Sequence, residues 1–211
     1  MSVAGAPEPF LPLGMSFAPT PKSPISEVTF AFLDTETTGL SPAGGARVCE
    51  VAVVTSRGGA RLELYQTLLN PGCPIDPGAQ RVHGITDAMV AKSPRFPEVV
   101  PKLKEILETS VMVCHNAPFD VGFMTAEFSL AGHALPAMPI LDTLPLARKH
   151  FRFPSNSLGN IARTMGVQPE GWHRAGNDVE MLRQVFDKML AQLAPKGLKT
   201  LGDLLKLAGH K

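Results

Sequence analysis

From Val28 onward, three runs rich in β-branched and large apolar side chains follow one another closely: 28–34, 48–56 and 61–70. Only short glycine-containing stretches at 39–45 and 58–59 separate them. Connectors that short make sequential strands pair as neighbours, and the spacing predicts a three-stranded meander. Beyond a proline-rich connector the period changes. Val99, Val100, Leu103, Ile106 and Leu107 recur at helical spacing, and the apolar run 111–114 reads as a buried strand. A second helix is expected from Pro118, whose missing N–H suits a first turn, with Phe119, Phe123, Ala126 and Leu130 at its apolar positions. A short strand at 138–141 and helices over 144–150 and 157–165 follow, the latter ended by Gly166. Val179, Leu182, Phe186, Met189 and Leu190 then mark a long final helix. Three strands followed by alternating helices and strands imply an α/β domain on a mixed sheet.

The organisation expected along the 211 residues is a proline-rich, disordered tail over 1–26, one globular domain over 27–193, and a short amphipathic segment over 194–211. Six of the 20 prolines fall in the first 26 residues, which excludes a helix or a central strand there. A hydrophobic fraction of 44% is enough to bury a real core, and a net charge of +1 does not mark the whole chain as a polyanion binder. Three cysteines, none at a CxxC spacing, argue against a disulfide framework or a zinc cluster and fit a reducing cytoplasm. No run approaches the roughly 18 apolar residues of a membrane span. The first 21 residues carry no Lys or Arg and are broken by prolines, so they do not read as a signal peptide. A cytoplasmic protein without membrane association is expected.

Three short segments concentrate the chemistry. Asp34 and Glu36 close the first strand two residues apart, so both carboxylates point to one face. Asp120 follows the buried run 111–114 in the first turn of a helix, where the helix dipole alone could account for it. His173 and Asp178 flank the start of the last helix. Each segment alone also reads as a solvated strand end, a dipole partner or a cap. Jointly, four carboxylates at strand ends and helix starts make an oxygen donor set suited to two divalent cations, Mg²⁺ or Mn²⁺. A histidine beside them is a proton acceptor near neutral pH. Hydrolysis of a phosphodiester is the role these groups share.

The segments FLDTETTGL, HNAPFDVGFM and HRAGNDVEML, in that order, resemble the three motifs of the DEDD superfamily of 3′–5′ exonucleases. The His-x4-Asp form of the last is similar to the subgroup with a catalytic histidine. The likeness extends through Val82-His83-Gly84-Ile85-Thr86, Phe128-Ser129-Leu130, Ala147-Arg148-Lys149 and Asn156-Ser157-Leu158, and is strongest toward the epsilon proofreading subunits of bacterial DNA polymerase III. It implies a ribonuclease H-like fold in which Asp34, Glu36, Asp120 and Asp178 organise two metal ions and His173 is the general base. Thr37, Thr38 and Leu40 would pack beside the terminal nucleotide, and His83 would meet its phosphate or sugar. The implied substrate is a single-stranded or frayed 3′ end, DNA in preference to RNA, releasing nucleoside 5′-monophosphates; an RNA-trimming or oligoribonuclease-like activity is the alternative. A DNA polymerase catalytic subunit is the implied protein partner.

Two features depart from that pattern. Gly78 stands where some epsilon subunits carry an acidic residue, and only Ala194 to Lys211 follow the domain, which weighs against stable polymerase membership. Gln184, the obvious start for a clamp-binding peptide, is expected inside the last helix. Between Thr143 and Gly176 five basic residues (Arg148, Lys149, Arg152, Arg163, Arg174) face one acidic residue, Glu170, an excess able to track a phosphate backbone.

Overall fold

A computed structural model describes residues 18–168 and 174–209. In chain order the elements are β1 (Thr29–Thr37), β2 (Val48–Arg57), β3 (Ala60–Leu68), α1 (Pro77–His83), α2 (Asp87–Val90), α3 (Phe96–Leu107) and β4 (Val111–Cys114). They continue with α4 (Ala117–Leu130), β5 (Ile140–Asp142), α5 (Thr143–His150), α6 (Leu158–Thr164), α7 (Ala175–Leu193) and α8 (Leu201–Ala208). The strands form one sheet in the order β3-β2-β1-β4-β5. The expected meander supplies its antiparallel half, while β4 and β5 run parallel to β1. This is the mixed, helix-flanked α/β sheet of the ribonuclease H-like fold.

Alternation along β1 divides the core into two layers. Ala31 and Leu33 point into the cluster built with α3 and α4, while Phe30 and Phe32 point to α7. Phe186 of α7 seats on both phenylalanines, with ring centroids 5.0 and 5.4 Å away. β1 and β4 are parallel neighbours, so their carboxyl ends open on the same edge of the sheet. There the chain leaves for opposite sides, which is where open α/β sheets place their sites. α1 and α2 fall in the stretch that reads as connector, because seven and four residues among prolines carry no helical period. Asp76 accepts from the Gly78 N–H and Thr86 from the Met89 N–H, and these caps sustain them.

The two ends of the described chain meet each other. Residues 21–25, assigned to the tail, run alongside the start of α8. Ser23 and Pro21 carbonyls accept from the Leu201 and Gly202 N–H groups at 2.9 and 2.8 Å, and Ile25 donates to the Lys199 carbonyl at 3.0 Å. Proline lacks a donor but keeps its acceptor, so a proline-rich segment is well suited to satisfy the orphan N–H groups of a helix start. Ile25 packs on the α7 face of the core together with Leu201 and Leu204, which makes the C-terminal segment part of the same domain. The rest of the tail, 1–17, lies outside the described residues. Among the described residues no helix is long and apolar enough to cross a membrane.

Candidate active site

Asp34 and Glu36 lie on the α7 side of β1, continuing the phase of Phe30 and Phe32 past the end of the core. Asp178 reaches them from the first turn of α7. One carboxylate oxygen from each of the three lies within 4.8 Å of the others. Asp120 arrives from the opposite layer. Asn116 adopts a left-handed φ of 72°, turning the chain sharply out of β4 into α4, and Asp120 Oδ1 then accepts from the N–H and hydroxyl of Thr35 at 3.1 and 2.9 Å. It therefore stands beside the trio, held by the intervening residue of β1.

The electrostatics follow from that placement. Burial pushes the Asp34 carboxyl well above the usual carboxylate range, and the charges of Asp120, Glu36, Asp178 and Glu50 push it further. Glu36 is raised to about 8, first by burial and then by Asp178, Glu50 and Asp120, against a weaker opposing pull from Arg174. Asp120 is raised to about 7 by burial, with the Thr35 hydrogen bonds acting in the opposite direction. Among the described residues neither Asp34 nor Glu36 forms an ion pair. Hard, close-set oxygen donors that resist ionising on their own match the chemistry of a divalent cation site.

Beside the carboxylates a cleft of about 1040 Å³ is lined by Glu36, Thr37, Thr38, Leu40, His83 and Phe119, among others. Its wall is the loop between β1 and β2. The Thr38 N–H donates to the Arg47 carbonyl and the Arg47 N–H to the Thr38 hydroxyl, closing the loop at 2.8 and 2.9 Å. Leu40 projects from its tip with 89% of its surface exposed. His83, expected to meet the terminal nucleotide, is buried at the end of α1. Its Nδ1 accepts from the Ile85 N–H at 3.0 Å, which leaves Nε2 to donate to the Thr37 carbonyl at 3.2 Å. One nitrogen thus serves the Ile85 backbone and the other the backbone that carries Thr37. Gly78 lies in the first turn of α1, where a side chain would crowd its capping carboxylate, Asp76. His173 lies outside the described residues.

Two buried acids escaped the sequence reading. Glu127 of α4 accepts from Arg47 Nε and Nη2 at 2.8 and 2.7 Å and from the Val48 N–H at 2.9 Å, fastening the Leu40 loop to α4. Glu50 of β2 takes both Arg174 and the first N–H of α7. A signal existed for each: Glu50 interrupts an apolar strand, and Glu127 sits four residues after Phe123 on an apolar helix stripe. The expected basic track thins accordingly. Arg174 is held by Glu50, Arg163 by Asn160 and the Gly159 carbonyl, and Lys149 reaches the Leu207 carbonyl. Gln184 is inside α7, donating to Glu180.

Residues 31–186 match the sequence model of a family described as Exonuclease. The chain belongs to the exonuclease family. It is 37% identical over 189 residues to a DNA polymerase III subunit epsilon-like protein of Rhodobacter capsulatus, covering 87% of this chain but 27% of that protein. The DNA polymerase III subunit epsilon of Treponema pallidum is 34% identical over 170 residues, 79% of each chain. Among solved structures, exonuclease X in complex with 5′ overhanging duplex DNA superposes with a TM-score of 0.62 and 28% identity, over 78% of this chain and 93% of that one. The family depends on divalent metal, in keeping with the acidic cluster.

Proposed function

We propose that this protein is a 3′–5′ exonuclease of proofreading or repair type that removes nucleoside 5′-monophosphates from single-stranded or frayed 3′ ends of DNA in the cytoplasm. The convergence of Asp34, Glu36 and Asp178 carries the reading. In it these three, with Asp120, hold two divalent ions, Mg²⁺ or Mn²⁺, which supply Lewis-acid stabilisation of the charge that gathers on the scissile phosphate. Thr35 orients Asp120, and the rigid β1 backbone fixes Asp34 and Glu36 on one face. His173, immediately before Arg174 at the head of α7, accepts the proton of the attacking water. The cleft beside Glu36 receives the terminal nucleotide, with Thr37 and Thr38 along its wall and Leu40 against the base. Leaving its stack costs that nucleotide a few kcal/mol, so frayed ends react faster than paired ones. DNA is favoured because the superposed exonuclease X holds DNA and several relatives are named as DNA polymerase III proteins. A polymerase catalytic subunit is the corresponding protein partner.

The test is digestion of 5′-labelled DNA and RNA oligomers with Mg²⁺, Mn²⁺ or EDTA. Stepwise shortening of DNA from the 3′ end, abolished by EDTA, is the expected result. Absence of shortening in either metal overturns the exonuclease reading; faster loss of RNA than DNA overturns the substrate.

A further inference from the structure

The start of α7 is capped from another element. Arg174 occupies the cap position and makes no cap bond of its own; instead Glu50 on β2 reaches across. Its Oε1 accepts from Arg174 Nη2 and Gln66 Nε2, both at 2.9 Å. Its Oε2 accepts from the Ala175 N–H at 3.2 Å and from Arg174 Nε at 3.3 Å. Four donors on a side chain only 1% exposed saturate the carboxylate. Gly176 belongs to the same assembly, because a Cβ there would run into the Gln66 side-chain amide. The missing side chain is what allows α7 to approach the strand that carries Gln66.

We infer that Glu50 is a positioning residue of the site: through Arg174 and the Ala175 amide it sets where α7 begins, and so where Asp178 meets Asp34 and Glu36. Asp178 lies three residues beyond Ala175, about 4.5 Å along a rigid helix, so any shift of the helix start passes to it almost undiminished. Glu50 is the register partner of Glu36 across the β1–β2 pair, so tether and site are built on one ladder. A local cap would have been simpler. Ser, Thr or Asn at residue 174 would satisfy the helix start for about 1 kcal/mol without a second charge beside Glu36. A cap supplied by β2 is worse for charge balance and better for registering the helix against the strand.

This inference rests on the exonuclease reading, and its test separates the two. The full-length Glu50→Gln variant keeps shape but turns an NH₂ toward donors, and Arg174→Ala removes the other half of the tether. Turnover and KM on a short DNA oligomer, Mn²⁺ affinity, and hydrogen exchange of the 175–178 amides are measured on both. We expect turnover to fall about 10²-fold with KM little changed, as for a misplaced reacting group. Mn²⁺ should bind more weakly, exchange at 175–178 should quicken, and low non-denaturing guanidinium should restore part of the rate to Arg174→Ala. Glu50→Gln with wild-type turnover per folded molecule and unchanged exchange overturns the inference, even if its melting temperature falls. A wild-type protein inactive on every oligomer overturns the exonuclease reading alone, and exchange with Mn²⁺ affinity then decides the role of Glu50.

Discussion

The molecule contains two kinds of carboxylate below its surface: Glu127 on α4 and Glu50 on β2 are buried, and Asp34 and Glu36 on β1 are partly buried. Glu127 and Glu50 are each met by a guanidinium and at least one backbone N–H. Asp34 and Glu36, on the neighbouring strand, have no such partner among the described residues and are pushed toward the neutral form by burial and by one another. The first kind is internally satisfied and fixes geometry. The second is incomplete as protein alone, which is the condition in which a site is open to cations from outside. Removing Asp34 and removing Glu127 therefore have opposite signatures, one in activity and one in stability, whereas Glu50, tied to the start of α7, touches both.

The sharpest break of this contrast is Asp34→Ala. Turnover should fall by at least about 10³-fold, because Asp34 sits where the other three acids converge. The melting temperature in EDTA should hold or rise as like-charge repulsion is relieved. An active Asp34→Ala enzyme removes the metal-site assignment. Next comes His173→Ala, expected to lose roughly 10² to 10⁴ in turnover with metal affinity intact, since the carboxylates remain. A loss of Mn²⁺ affinity as large as the loss of rate would show that His173 is not the base.

Glu127→Ala should behave in the opposite way. It leaves the Val48 N–H unsatisfied and releases Arg47, which is partly exposed and can rehydrate, so a cost of about 3 kcal/mol is expected, at the low end for a broken buried pair. Denaturant unfolding measures it. An unchanged midpoint would place the Arg47–Glu127 pair with surface pairs of little consequence.

pH sharpens the same comparison. Glu36 is raised from an ordinary value of 4.5 to about 8 and Asp120 from 3.8 to about 7. Raised acid pKa values mean that the metal-free folded state holds protons the unfolded chain has released. Their contribution to stability is complete below about pH 4 and is lost as pH climbs through 7 to 8. In EDTA the melting temperature should decline over that range, and saturating Mg²⁺ should cancel the decline, because ions bind the deprotonated site of the folded state. A flat profile in EDTA would mean that these acids are already compensated within the protein.

Much of this was legible in the sequence, for identifiable reasons. β1 to β4 and α7 announce themselves by period, and Asp34 with Glu36 by the same-face rule of strands. What stayed hidden depends on distance in the chain. Nothing near Glu50 shows that its partner is Arg174, 124 residues away, and Arg174 itself reads as a loose basic residue. The setting of His83 is hidden for a related reason: one ring nitrogen meets the Thr37 carbonyl, 46 residues away in the chain, while the other stays local at the Ile85 N–H. The proline-rich stretch before Val28 reads as tail because its composition excludes regular structure, but composition is silent about carbonyl acceptors.

That stretch yields the smallest expected effect. Deleting residues 1–26 removes the Pro21 and Ser23 carbonyls from the start of α8, the Ile25 bond to Lys199, and the packing of Ile25 on the core. Three hydrogen bonds near the surface are worth about 1 kcal/mol each at most. A net loss of about 2 kcal/mol, or roughly 4–8 °C in melting temperature for a domain of this size, is therefore expected. Turnover on short oligomers should be unchanged, because these contacts touch α8 and the outer face of the core, whereas the carboxylates sit at the far end of β1 from Thr29. Thermal melting and single-turnover digestion of the truncated protein at a temperature where it is fully folded check both halves. A severalfold drop in rate there would mean that α8, through α7, reaches the placement of Asp178, and the division between the satisfied and the uncompensated carboxylates would then be too clean.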